Sequence, residues 1–93
     1  MTLSQQKRQR LGDADCGFRG RIIALDPHAA GSSLEADELE NRLLELGFVE
    51  GADVIILHEA PFGHDPIAVR VDNMTIAIRR REAMAIMVEE ATA

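Results

Sequence analysis

The sequence has no tryptophan and no tyrosine, and only three phenylalanines. Ring faces on which single-stranded bases stack are therefore nearly absent, which argues against that mode of nucleic-acid binding. The core has to be aliphatic, built from Ile, Leu, Val and Met. A single cysteine, Cys16, leaves no internal disulfide to form and fits a reducing compartment. No apolar run approaches the roughly 18 residues of a membrane span, and the first residues carry no apolar signal core. A soluble, cytoplasmic protein with no direct membrane insertion is expected. Positive charge is also in short supply: Lys and Arg number 10 against 16 Asp and Glu, for a formal net charge of −6. That balance argues against general binding to nucleic acid or to anionic lipid. It leaves room for a protein partner with a basic face.

What is present suits one small domain: 93 residues, 46% of them hydrophobic. Residues 1–10 are polar and basic and read as a flexible N-terminal extension. Residues 11–90 read as the folded domain, and residues 91–93 as a tail. Phe18–Leu25 has strand composition, with Arg19 and Arg21 alternating outward. Gly20 within it signals a bulge or a close backbone approach. Asp26-Pro27 ends the strand. Ser32 and Glu35 have the spacing of a capping box, so a helix is expected to begin at about Leu34. Leu39, Leu43 and Leu46 give it one apolar stripe, and Gly47 is its expected left-handed stop, with Phe48 folding back on Leu43.

Gly51 supplies the next turn, and Asp53–Glu59 follows as a strand apolar on both faces, hence central. Ala60–Pro66 is a loop. Ile67, Val69 and Val71 alternate with Ala68, Arg70 and Asp72 in one strand, and Met74, Ile76 and Ile78 with Thr75, Ala77 and Arg79 in the next; Asp72-Asn73 joins them as a turn, since both tolerate positive φ. Arg80–Met84 reads as one helical turn and Ile86–Val88 as a short last strand. The expected fold is mainly β with one principal helix: a small, partly open barrel of about five strands, with a short helical turn besides.

No catalytic motif is present. The phosphate-binding P-loop pattern is missing, and neither the serines nor Cys16 sits in an activating context. No cofactor is expected. For metals the only candidates are His58, His64 and Asp65, which with Glu59 would converge if the Ala60–Pro66 loop folded back. Two solvent-facing loop histidines are the simpler reading, so no metal site is expected. Arg79-Arg80-Arg81 is the densest positive cluster, read as a solvated strand end or as a docking point for an acidic partner. Phe48, Val49, Pro61 and Phe62 are apolar in turns. They either plug the ends of the barrel or line an exposed groove.

Three blocks resemble the FeoA family: Arg42-Leu-Leu-Glu-Leu-Gly-Phe-Val-Glu-Gly-Ala-Asp-Val54, Ala60-Pro-Phe-Gly-His-Asp-Pro66 and Ile76-Ala-Ile-Arg-Arg-Arg-Glu-Ala83. Gly17-Phe-Arg-Gly-Arg-Ile22 is similar to that family's first strand. The resemblance implies an SH3-like barrel and a non-enzymatic accessory role in bacterial ferrous iron uptake. The implied partner is the cytosolic GTPase region of the FeoB transporter. On that basis Leu43, Leu46, Phe48, Pro61 and Phe62 are expected to form an apolar cleft for the partner, bordered by Arg79, Arg80 and Arg81. Other readings are a metal-responsive module related to the C-terminal domain of iron-dependent repressors and a GTPase activator lending Arg80 or Arg81 as a finger. A weak homo-oligomer acting as a regulatory domain is the third. The sequence departs from the family in having His64 between Gly63 and Asp65, in the Asp72-Asn73 turn, and in a long acidic approach to the helix.

Overall fold

The computed structural model describes residues 8–30 and 33–91. Its strands are β1 (Arg8–Arg10), β2 (Arg19–Leu25), β3 (Asp53–Glu59), β4 (Ile67–Val71), β5 (Met74–Ile78) and β6 (Ile86–Glu90). The helices are α1 (Ser33–Glu45) and the single turn α2 (Arg80–Ala83), with 3-10 turns at Leu11–Asp13 and Pro27–Ala30. The six strands form one antiparallel sheet in the order β1-β6-β2-β3-β4-β5. It is a partly open, SH3-like arrangement whose end strands β1 and β5 do not pair with each other.

Alternation places one side of each strand inward. Ile22, Val54, Ile56, Ile67, Val69, Val71, Ile86 and Val88 are all buried there, joined by Leu11 and Ala14 from the first 3-10 turn. The outer residues Arg19, Arg21 and Arg70 are exposed. Register shifts between Ile22 and Ala24 in β2 and between Ile56 and His58 in β3 each add a residue to one strand. Such bulges increase local twist, which bends the sheet toward closure. At Gly20 a Cβ would run into the Glu89 carbonyl oxygen and the Phe18 ring, so this glycine marks a close backbone approach, two residue pairs away from Ile22, where the bulge begins.

The helix α1 ends as its sequence predicts. Gly47 takes φ +102, Phe48 N–H donates to Leu43 O (2.9 Å) and Gly47 N–H to Leu44 O (3.1 Å). This paired closure satisfies the last carbonyls and swings Phe48 under the helix. Asp72, with φ 52, turns β4 into β5. β3 lies between β2 and β4, the interior place its two-sided apolar pattern requires.

Three expectations are corrected. Residues 8–10 are not part of a flexible extension: they pair with Glu89, Val88 and Met87, and Arg10 donates to Met84 O (2.9 Å) and Asp26 Oδ2 (3.1 Å). This makes six strands where about five were expected. β6 also runs two residues past Val88, because Glu90 pairs with Gly20. The expected extension over residues 1–7, the Ser32 cap and tail residues 92–93 lie outside the described residues. Ala91 N–H still bonds to Arg19 O (3.0 Å).

Candidate functional site

The residues expected to form one apolar cleft separate into two groups. Leu43 and Phe48 are 1% and 0% exposed, so they plug the core and offer a partner nothing. The fold-back of Phe48 explains this: the turn that stops α1 aims the ring inward. Leu46 is half-buried against the same core. Pro61 is exposed, and Phe62 is 89% exposed, the most exposed large apolar side chain among the described residues.

Phe62 stands on a loop whose base is clamped. Ala60 N–H bonds to Pro66 O (3.0 Å), joining the two ends of the loop. Arg80 supplies the rest. Its Nε donates to His64 O (2.8 Å) and its Nη2 to Glu59 Oε1 (2.8 Å), while its backbone N–H donates to Asp65 Oδ1 (2.8 Å). Nη1 reaches across to Gly12 O (3.0 Å) and Ala14 O (2.8 Å). The planar guanidinium presents several donors in a fixed fork, which lets one side chain join three segments. A corrected role follows for Arg80, whose side chain is 22% exposed. It is engaged by the fold, and is neither a free border residue nor a finger that can leave its own protein.

His64 is part of the clamp. It takes φ 58, next to Gly63 at φ 78. A left-handed histidine is disfavoured by about 1 kcal/mol, and its carbonyl bond to Arg80 helps to hold it there. Its Nδ1–H donates to Glu59 Oε2 (2.9 Å). Glu59 thus accepts from both His64 and Arg80.

The His64 hydrogen bond, and after it the Arg80 hydrogen bond, hold the Glu59 carboxyl below its ordinary value of 4.5. Because the folded value lies below the unfolded one, the stabilisation is present above about pH 4.5 and disappears as pH falls through the folded value. Glu59→Gln is therefore expected to flatten the acid limb of the stability curve. Urea midpoints measured from pH 7 to pH 3 check this, with wild type losing more than the variant over the acid end.

The other two arginines of the cluster diverge. Arg79 is exposed, and its backbone N–H donates to Glu82 Oε1 (3.3 Å). Arg81 shares a shallow depression with Glu35, Glu38, Leu39, Arg42 and Glu82, so acidic side chains dilute its charge. Arg42 Nη2 bridges to Glu82 Oε2 (2.8 Å), tying α1 to α2. A second, wider depression of about 920 Å³ lies on the outer sheet face, floored by Gly20, Val54 and Ile55. It includes none of the expected site residues.

The metal candidates do not converge. His58 is exposed on β3, and alternation sends it to the side opposite Glu59. One Asp65 oxygen already accepts from the Arg80 backbone. Among the described residues no group of three His, Cys, Asp or Glu side chains is placed to hold a metal. A structural zinc site takes four such ligands, and the Glu59–His64 pair does not supply them. No helix among the described residues is long and apolar enough to cross a membrane.

The family profile described as FeoA domain matches residues 9–90. Among proteins of curated function none matches the chain. Of solved structures, the FeoA protein from Chlorobium tepidum is 30% identical, with a TM-score of 0.72, over 90% of this chain and 71% of that one. The zinc complex of Stenotrophomonas maltophilia FeoA, described as a prokaryotic SH3 domain protein, is 26% identical with a TM-score of 0.70. That match covers 86% of this chain and 88% of the other. T. acidophilum IdeR shares the fold at 24% identity and a TM-score of 0.66, over 97% of this chain and 37% of its own.

Proposed function

The chain belongs to the FeoA family, and from that premise we propose that it is a non-enzymatic, cytosolic accessory protein of bacterial ferrous iron uptake. It docks on the cytosolic GTPase region of a FeoB-type transporter and modulates that protein's assembly or activity. The observation that carries the docking site is Phe62, 89% exposed at the tip of a loop whose base is fixed by Arg80. A loop clamped at its base has less backbone entropy to lose on binding, and an exposed aromatic side chain is the kind of residue that serves as an interface anchor. Pro61 lies beside it. Arg79, exposed beside the residue that clamps the loop, gives the contact a basic margin suited to an acidic surface, while the charge of Arg81 is diluted by neighbouring glutamates. Leu46 contributes only its exposed part.

Binding of the FeoB cytosolic domain is the direct test. Truncating an interface anchor costs about 2 kcal/mol or more, so Phe62→Asp is expected to weaken binding by roughly 30-fold or more. The urea midpoint of the variant stays at the wild-type value, because Phe62 belongs to no core. Equal binding by wild type and Phe62→Asp, measured by calorimetry, removes the loop from the interface.

The fold shared with IdeR supports a second reading, a regulatory module related to the C-terminal domain of iron-dependent repressors. Retention of the chain by a repressor's DNA-binding portion, with none by FeoB, would favour it.

A further inference from the structure

The end strand β5 is built unlike the other end of the sheet. β1 carries Arg8 and Arg10, charged side chains of the kind that blunt a sheet edge. β5 reads Met74-Thr-Ile-Ala-Ile78, with no charge, no proline and no register shift against β4. Among the described residues it pairs with β4 alone.

The two-residue turn fixes which backbone groups are free. Val71 and Met74 flank Asp72-Asn73 and form the hydrogen-bonded pair that closes such a hairpin, so Met74, Ile76 and Ile78 bond inward to β4. Thr75 and Ala77 consequently turn their N–H and C=O groups to the open edge. Both residues are exposed, and no hydrogen bond to any other segment is found for them. Met74, at the mouth of the sheet, is 59% exposed.

We propose that this edge pairs with the same edge of a second copy of the chain, β5 antiparallel to β5 about a two-fold axis at Ile76. The sequence is self-complementary in that register. Ile76 meets the partner's Ile76, and Met74 meets the partner's Ile78. Thr75 and the partner's Ala77 exchange both of their hydrogen bonds, as does the symmetric pair. Every cross-strand pair within β5 is uncharged. At each end Asn73 comes opposite the partner's Arg79, with Asp72 next in line for that unbridged cation. Strand addition of this kind draws its affinity from main-chain bonds and its register from alternate side chains. The contact is short, so it falls in the weak class of interfaces below about 1,200 Å².

Sedimentation equilibrium of the full chain from about 20 μM to about 1 mM, the range appropriate to a weak interface, tests the proposal. The apparent mass is expected to rise from monomer toward dimer, and the amides of Thr75 and Ala77 to exchange more slowly at the higher concentration. Ala77→Pro removes one edge donor without touching the β4 ladder, because its N–H faces outward. It is expected to weaken association at least tenfold with little change in the urea midpoint. Should that variant misfold, Met74→Lys serves instead. It places a charge on the pairing strand while altering only an exposed position. A wild type that stays monomeric at 1 mM overturns the proposal, even if an extended peptide binds the same edge. So does a dimer that a folded Ala77→Pro or Met74→Lys variant forms equally well.

Discussion

Phe48→Ala is expected to lower the unfolding free energy by about 3–5 kcal/mol, the range for deleting a fully buried aromatic ring. The ring is 0% exposed and belongs to the single core that Leu43, Val54 and Val69 also enter. It is the one aromatic ring with no exposure among the described residues. A domain of this size commonly has about 5–15 kcal/mol in total, and the variant should be markedly unfolded on warming. The backbone bond from residue 48 to Leu43 O survives the substitution, since it uses only N–H. The loss therefore reports the side chain and not the helix stop. Phe48→Leu, which keeps much of the apolar volume, should recover most of it. Urea titrations of the three proteins decide the matter. A Phe48→Ala midpoint equal to wild type would mean that the ring lies outside the core.

Arg80→Ala is the second large effect, about 3 kcal/mol, or a fall in Tm of roughly 15 °C at the 4–8 °C per kcal/mol typical of a domain this small. The side chain makes hydrogen bonds to His64 O, Gly12 O, Ala14 O and the Glu59 carboxylate. These bonds share one fork and do not add independently. Partial exposure, at 22%, brings the sum well below that of a sealed ion pair. Arg80→Lys recovers only part, because one ammonium cannot face all four acceptors at once. Arg79→Ala and Arg81→Ala stay within about 0.5 kcal/mol of wild type, as surface changes do. Thermal unfolding of the four variants tests the contrast. Equal losses at positions 79, 80 and 81 would contradict the inward placement of Arg80.

The contrast also shows where sequence reasoning stops. Turns were legible because their residues carry the instruction locally. Gly47 and Gly51 take positive φ, and Asp72 does the same in the hairpin. The strands β3, β4 and β5 were legible in type from alternation between such turns; the bounds of β3 were met, while β4 and β5 each end one residue earlier than the alternation suggested, at Val71 and Ile78. β1 was not, because Arg8-Gln9-Arg10 has no apolar alternation, and what holds it is pairing with distant β6. The same distance hides the site. Phe48 and Phe62 each sit beside a glycine in a turn, yet one is sealed and the other bare. The three consecutive arginines are identical as letters. What distinguishes the middle one arrives from other parts of the chain, the Glu59 and Asp65 carboxylates and the His64 carbonyl among them. Nothing in the sequence marks the carbonyls of Gly12 and Ala14 as its acceptors.

The Arg80 clamp has a kinetic side as well. Its bonds to Gly12 and Ala14 join residues 68 and 66 apart in the chain, whereas the reach to His64 O spans 16. Contacts between remote segments wait on closure of the loops between them. The clamp is therefore expected to form late in folding, after the hairpin β4–β5 and the stop of α1, whose contacts are local. An interaction absent from the transition state slows unfolding and leaves folding speed nearly alone. Arg80 accordingly acts as a latch on the finished barrel. It lengthens the lifetime of the native state, and with it the time for which the Phe62 loop stays presented.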